Sequence, residues 1–416
     1  MFDFISAKER VDQVINKTHL FYSDYFSDLS NNKVYIKPEN LQKTGSFKIR
    51  GAYNKLSKLD DSQKEKGIIT ASAGNHAQGV AFSANKLGID ATICMPEQTP
   101  MIKVEGTLKY GANVVLYGEN FDECKEHAIK LAEEKGFTFI PPFDDLDVIE
   151  GQGTIALEIV DELEYVDYVI VPVGGGGLIA GLAKCIKQIS PLIKVIGVEP
   201  VSAASMQEAI KKGKIVKLDG VDTIADGTAV AEVGKYTYEI AKDYVDDWVS
   251  VSDEEILMAL ISLMERHKLI AEPSGALSLA AVNKLNFYNK NVVSLISGGN
   301  IDMSFISQLI NRGLYETGRI TRITVEIPNI PGKLQGLLYD IAYTKANVIS
   351  INHDSLKASS RYKNINVEIT LETNGMDHVN KIRDVIIKKG YIIHWNLNNW
   401  LREFLIYQQK NKMILK

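Results

Sequence analysis

Between about residue 30 and residue 300, short β-branched runs alternate with stretches of helical period. Val34–Lys37 reads as a strand and Ser46–Leu59 as the helix after it. Gly67–Ala71 is the next strand, followed by a helix from about His76 to Leu87. Ala91–Met95 and Asn113–Tyr117 are strands on either side of another helix. Tyr168–Val173, Lys194–Val198 and Asn291–Ile296 are apolar at successive positions, so both of their faces must be covered. Strands of this kind alternating with helices predict an α/β fold of parallel sheets. Ligands in such sheets bind outside the carboxyl ends of the strands.

Near Arg319 the pattern changes. Arg322–Pro328 alternates as a strand, Asn329-Ile330-Pro331-Gly332 is a turn, and Lys333–Lys345 is a helix with Leu334, Leu337, Leu338 and Ile341 on one face. Asn347–Ile351 and Ile365–Leu371 are strands, Asp377–Lys389 is a helix closed by Gly390, and Tyr391–Trp395 is a last strand. The order βαββαβ is that of a ferredoxin-like unit. The expected division is therefore 1–312, a linker at 313–320, a small domain at 321–396 and a tail at 397–416. That tail is mixed and basic, and its sequence assigns it no role.

Composition narrows the function classes. Hydrophobic residues at 45% and charged residues at 24% describe an ordinary globular protein. A net charge of −5 argues against nucleic acid or an anionic membrane as partner. Cys94, Cys124 and Cys185 are far apart and form no metal or redox pattern, which fits a reducing compartment. No run approaches the roughly 20 apolar residues of a membrane span, and the first twenty residues lack the apolar core of a signal peptide. The expected location is the cytoplasm, and no metal is assigned.

The clearest chemical signal is Gly174-Gly175-Gly176-Gly177, between the strand ending at Val173 and a helix at Leu178–Ile189. Such a junction turns backbone N–H groups toward an anion beside a positive helix end, and a Cβ would block the approach. No Gly-Lys-Ser/Thr follows, so it is not a nucleotide P-loop. A dinucleotide site stays open, with Glu199 at the end of the next strand as a ribose-binding acid, although Ile179 stands where a third glycine belongs. Lys48, in Thr44-Gly-Ser-Phe-Lys-Ile-Arg50, opens a helix after a loop; buried there, it would lose its proton readily and suit imine formation. Ser72-Ala73-Gly74-Asn75-His76 opens another helix after a strand and could hold a carboxylate on its N–H groups, or be a simple cap. Ser297-Gly-Gly-Asn300 is a third such junction.

Taken together these pieces resemble the fold-type II pyridoxal-phosphate enzymes, in particular their threonine dehydratase (threonine ammonia-lyase) branch. The matching stretches are KPENLQKTGSFKIRGA at 37–52, TASAGNHAQGVAFSA at 70–84, PPFDD at 141–145, GQGT at 151–154, VPVGGGGLIAG at 171–181, TIADGTAV at 223–230, AEPSGA at 271–276 and SGGN at 297–300. The resemblance implies two parallel-sheet α/β subdomains with a cleft between them and pyridoxal 5'-phosphate as cofactor. It implies Lys48 as the lysine that holds the cofactor, Phe47 against its ring and Asn75 on its ring hydroxyl. Gly174, Gly175, Gly176, Gly177 and Leu178 would hold the phosphate, and Ser297 would face the ring nitrogen. Ser72, Ala73, Gly74, Asn75 and His76 would take the substrate carboxylate. Related serine racemases carry a hydroxyl residue where Ala73 stands, so racemisation is not expected.

The C-terminal part resembles an ACT domain, on Arg322–Leu334 and Asn347–Ile351. That implies pairing of copies, a homodimer or homotetramer, and an amino-acid effector near Asn329, Ile330, Pro331, Gly332 and Asn347. The implied activity is conversion of L-threonine to 2-oxobutanoate and ammonia, with L-serine also a substrate. Serine as the main substrate, and a nicotinamide-dependent dehydrogenase built on the Gly174 corner, are the alternatives. A biosynthetic role toward isoleucine and a role in threonine breakdown both remain open.

Overall fold

The apolar runs form strands and the segments between them form the helices that cover them. The structure, a computed structural model, describes residues 2–358 and 363–395, so the 397–416 tail lies outside the described residues. Ten strands precede residue 300: β1 Phe21–Tyr22, β2 Lys33–Pro38, β3 Ile68–Ala71, β4 Ala91–Met95, β5 Asn113–Leu116, β6 Thr138–Phe139, β7 Tyr168–Pro172, β8 Lys194–Pro200, β9 Asp247–Val251 and β10 Asn291–Ile296. One sheet has the order β1-β2-β10-β7-β8-β9, parallel throughout except for the β1–β2 edge. A second, all-parallel sheet has the order β5-β4-β3-β6. β8 and β10 are buried at every position but the first, as strands covered on both faces must be. β1 and β6, at two residues each, are too short to carry a periodic signal, and they went unrecognised in the sequence.

Each sheet has its own core. Val169, Val171, Ile179, Leu182, Ile186 and Val195 pack on the larger sheet, and Ile68, Ile93, Val80 and Ala84 on the smaller. The helix Leu146–Glu162 lies between the helices Lys48–Ser57 and Gly177–Ile189 and uses glycine to approach both. A Cβ at Gly151 would come within 2.6 Å of the Arg50 carbonyl oxygen, and one at Gly153 within 2.7 Å of the Gly181 carbonyl oxygen. The GQGT stretch is thus a packing device.

Beside that contact sits a buried ionic group. Arg50 is fully buried; its Nε meets Glu39 Oε2 at 2.8 Å and its Nη1 meets Glu158 Oε1 at 2.6 Å. Lys37 Nζ, also fully buried, reaches Glu158 Oε2 at 2.6 Å. Two cations face two carboxylates, so the group is neutral as a whole and every charge has a partner. It anchors the start of the helix that carries Lys48.

The chain divides into two compact units between Asp302 and Met303. The second begins with the helix Met303–Glu316, and only residues 317–319 separate it from β11 Ile320–Pro328. Then follow a helix Lys333–Tyr343, β12 Asn347–Ala358, β13 Asn364–Glu372, a helix Met376–Lys388 and β14 Ile392–Trp395. The sheet is antiparallel with order β12-β13-β11-β14, the ferredoxin-like arrangement. Ile323, Val325, Val367, Leu337, Ile341 and Ile382 form its core with the two helices.

Candidate active site

Lys48 is the first residue of its helix, and the loop before it is stitched to the end of β10. Ser46 bridges to Gly298, the Phe47 N–H donates to the Ser297 carbonyl at 3.1 Å, and the Gly299 N–H donates to the Gly45 carbonyl at 2.8 Å. Two junctions far apart in sequence are therefore one structural unit. Lys48 Nζ donates to the Pro142 carbonyl at 2.7 Å and stands 5.4 Å from the centre of the Phe47 ring. Lys48 keeps some accessible surface, yet protein surrounds it. Burial pulls its pKa down to about 8, against the opposing charge of Glu272. Phe47 packs partly against the core of the larger sheet.

The glycine corner follows β7 and opens the 13-residue helix Gly177–Ile189. Gly176 has φ +91°, a conformation that disfavours a side chain. The α-carbons face protein: a Cβ on Gly174 would lie 2.9 Å from Thr228 Cα, and one on Gly175 2.3 Å from the Phe143 ring. Among the described residues, the N–H groups of Gly175, Gly176, Gly177 and Leu178 donate to no protein acceptor, and all four residues are buried. Buried donors left open at a helix N-terminus fit an anion such as a phosphate. The Leu178 side chain belongs to the core, so only its backbone is available to a ligand.

The Ser72–His76 segment follows β3 and opens the helix Asn75–Leu87. Ser72 Oγ accepts from the Gly74 N–H at 3.3 Å, while the N–H groups of Ala73, Asn75 and His76 make no protein hydrogen bond among the described residues. His76 is buried, with Nε2 3.2 Å from the Ile140 carbonyl. A carbonyl only accepts, so Nε2 carries the proton and Nδ1 is a buried acceptor without a protein partner. Burial, aided by the Lys48 charge, lowers the His76 pKa to about 3, so the ring is neutral. Asn75 Nδ2 donates to Glu272 Oε1 at 2.5 Å, and its Oδ1 accepts from Asn300 Nδ2 at 2.7 Å. Ser297 is buried at the end of β10, 3.4 Å from the Ser274 carbonyl.

A five-residue segment, Pro141–Asp145, ties these pieces together. Pro142 accepts from Lys48, and Phe143 covers Gly175 and Gly177. Asp144 accepts from the N–H groups of Lys235, Tyr236 and Thr237, at the start of the helix Lys235–Tyr244. Asp145 caps the helix Leu146–Glu162. From the start of the helix Lys235–Tyr244, Thr237 Oγ1 donates to the Gly175 carbonyl at 2.8 Å. The amine and the glycine corner are thus bridged by consecutive residues, and an aldehyde with a phosphate at its other end fits the pair. Pro142, Phe143, Asp144, Thr237 and Glu272 have no role that the sequence alone assigns. The PPFDD and AEPSGA stretches were the only signal for four of them.

Glu199 does not serve a nucleotide ribose. Both its oxygens accept from backbone at the start of the helix Ser205–Lys212: the Met206 and Gln207 N–H groups, at 2.8 Å each. Burial raises its pKa to about 7, and the two bonds work against that rise. A fully buried acid turned to the start of a helix is out of reach of a ligand. Among the described residues no group of three or more His, Cys, Asp or Glu side chains is arranged to hold a metal, and no helix is long and apolar enough to cross a membrane.

In the second unit, Gly332 has φ +87° and opens the helix Lys333–Tyr343, and Ile330 is 57% exposed. Asn347 is not beside them. It pairs with Glu372 at one end of β13, whereas Pro328 pairs with Asn364 at the other. Within one chain the strand length separates them by about 26 Å, at about 3.3 Å per residue.

The family model for pyridoxal-phosphate dependent enzymes matches residues 11–298. The chain belongs to this family. Its two parallel sheets are the family's fold-type II architecture. The L-threonine ammonia-lyase of Thermotoga maritima is 45% identical over 390 residues, covering 94% of this chain and 97% of that protein. An alignment of that length reaches well into the second unit. The catabolic L-threonine dehydratase TdcB of Escherichia coli K12 is 49% identical over 311 residues, 74% of this chain and 94% of that one. Among solved structures, threonine deaminase isoform 2 from Solanum lycopersicum superposes with TM-score 0.72 at 43% identity, covering 74% of this chain and 92% of that one.

Proposed function

We propose that the chain is an L-threonine ammonia-lyase that eliminates water from L-threonine and releases ammonia as water adds back to the resulting imine, giving 2-oxobutanoate and ammonia, and that it acts on L-serine by the same route to give pyruvate and ammonia. The observation that carries this reading is a buried amine of lowered pKa bridged, through Pro142 and Phe143, to a corner of open backbone donors. Relatives named for this reaction at 45–49% identity support it.

The N–H groups of Gly174 to Leu178 would hold the cofactor phosphate, Lys48 would tether the cofactor, Phe47 would pack against its ring and Asn75 would hydrogen-bond its ring hydroxyl. Pyridoxal phosphate, when bound, supplies a carbonyl that takes up the substrate amine and a ring that accepts electron density from its α-carbon. Ser72, Ala73, Gly74, Asn75 and His76 present the start of a helix to the substrate carboxylate, which screens that charge and fixes the α-carbon over Lys48. Lys48 Nζ removes the α-proton. An amine of pKa about 8 serves as a base near neutral pH where an ordinary lysine would not. Ser297 would offer the ring nitrogen an uncharged hydroxyl, which would not force it to stay protonated. That favours expulsion of a β-hydroxyl over prolonged carbanion chemistry. Ala73 offers no acid to the opposite face of the α-carbon, which opposes racemisation.

The βαββαβ unit is proposed as an ACT domain that pairs with a second copy and takes an amino-acid effector at Asn329–Gly332. Asn347 lies far from that turn in its own chain, so it can share such a site only across copies. A homodimer or homotetramer in the cytoplasm is the expected form, and three free buried cysteines support a reducing compartment. One initial-rate experiment tests the reading: 2-oxobutanoate and pyruvate release from L-threonine and L-serine, with and without isoleucine, valine and AMP. Full turnover by a Lys48→Ala protein would refute it.

A further inference from the structure

The amide of Asn75 can point only one way. The Thr44 carbonyl accepts and cannot donate, and Asn300 meets it at 2.7 Å, so the meeting atom is Asn300 Nδ2. The same nitrogen lies 2.7 Å from Asn75, which must therefore present Oδ1. Asn75 Nδ2 is left facing Glu272 Oε1 at 2.5 Å. One hydrogen of Nδ2 goes to that carboxylate, and the other is free for a ligand oxygen. Each direction follows from the one before, starting at a backbone carbonyl.

Glu272 is built into this place. Its N–H donates to the Gly298 carbonyl at 3.1 Å, and a Cβ on Gly298 would fall 2.2 Å from its Oε1, so only glycine lets the carboxylate reach Asn75. We propose that Glu272 is a positioning residue for cofactor binding: it fixes and polarises the Asn75 amide, and balances the charge of Lys48. The proposal rests on the reading that Asn75 meets the cofactor.

The charged groups that act on Glu272 come from three other elements: Lys48, Lys103 on the helix Met101–Leu108, and Asp226. Burial raises the Glu272 pKa to about 7, with Asn75, Lys103 and Lys48 pulling it down and Asp226 pushing it up. The acid is therefore poised to change charge near neutral pH, beside an amine that does the same about one unit higher.

The test uses the full chain, stripped of cofactor and titrated with pyridoxal phosphate, with affinity read from fluorescence and the absorbance band of the loaded protein read from pH 6 to 9. Glu272→Gln keeps an acceptor for Asn75 but cannot ionise. It should hold the cofactor within about threefold of the parent and lose the spectral transition near pH 7. Glu272→Ala and Asn300→Ala, which free the amide, should each weaken affinity about tenfold. Circular dichroism establishes that each variant is folded. Folded Glu272→Ala and Asn300→Ala proteins with parental affinity, or a transition near pH 7 that persists in Glu272→Gln, would overturn the proposal. Asn75→Ala separates the two readings: if it too keeps parental affinity and spectrum, the role given to Asn75 itself has failed.

Discussion

Raising the pH of the cofactor-free protein from 7 to 10 should show how far burial has altered Lys48. With a pKa of about 8 in place of the usual 10.5, the neutral amine makes up about 9% of Lys48 at pH 7, against about 0.03% for an exposed lysine. That is about 300 times more nucleophile at the same pH. The shape of the profile separates the cases more sharply than its height. From pH 7 to 9 the neutral fraction of Lys48 rises about tenfold and then levels off. For an ordinary lysine it rises about a hundredfold over that range and keeps rising. The assay is the rate at which pyridoxal phosphate becomes attached, followed by stopped-flow absorbance, with the Lys48→Ala rate subtracted. Borohydride reduction and peptide mapping then identify the attached residue. A rate that climbs tenfold per unit through pH 10, or attachment elsewhere, would refute the reasoning. Stability follows with a defined sign. Between pH 8 and 10.5 the unfolded chain binds a proton that folded Lys48 has lost, so the contribution of Lys48 to the stability of the cofactor-free protein rises across that window, as the difference between parent and Lys48→Ala would show. Below pH 8 both states are protonated, and burying the charge carries its full cost.

Two further outcomes test the site and its support. Gly175→Ala puts a methyl 2.3 Å from Phe143, so the ring must leave the glycine corner; cofactor affinity by equilibrium dialysis should fall about 10- to 100-fold, and unchanged affinity would count against that corner as the phosphate seat. Arg50→Met leaves Glu39 without its cation while Lys37 still holds Glu158, which should cost about 3–5 kcal/mol and lower the melting temperature by roughly 6–10 °C. Adding Glu39→Gln to Arg50→Met should recover part of that loss by calorimetry, and no recovery would mean that the buried charge is not the cause.

Much of the molecule was legible in one dimension because its causes are local. β8 and β10 announce themselves by unbroken apolar runs, since a strand covered on both faces has no polar position to spare. Gly174 to Gly177 stand out because four glycines at a strand–helix junction relieve a crowding that any side chain would create. The βαββαβ order of residues 320–395 follows from a switch of period that each segment carries in itself. Lys48 was singled out by its motif, not by any property of a lysine.

Tertiary structure decided everything that depends on distance and dryness. Glu272 and Asn75 lie 197 positions apart in the chain, and nothing in either stretch foretells a 2.5 Å contact. Glu199 has the right place in sequence for a ribose acid, yet the fold spends it on a helix cap. Asn347 and the turn at 329–332 are close in sequence but end on opposite ends of one sheet. The lowered pKa of Lys48 likewise belongs to no local pattern, because desolvation is the work of every segment that packs around it. The order of residues sets backbone period and turn chemistry; which side chains meet, and how much water they lose in meeting, is set only when distant segments close on one another.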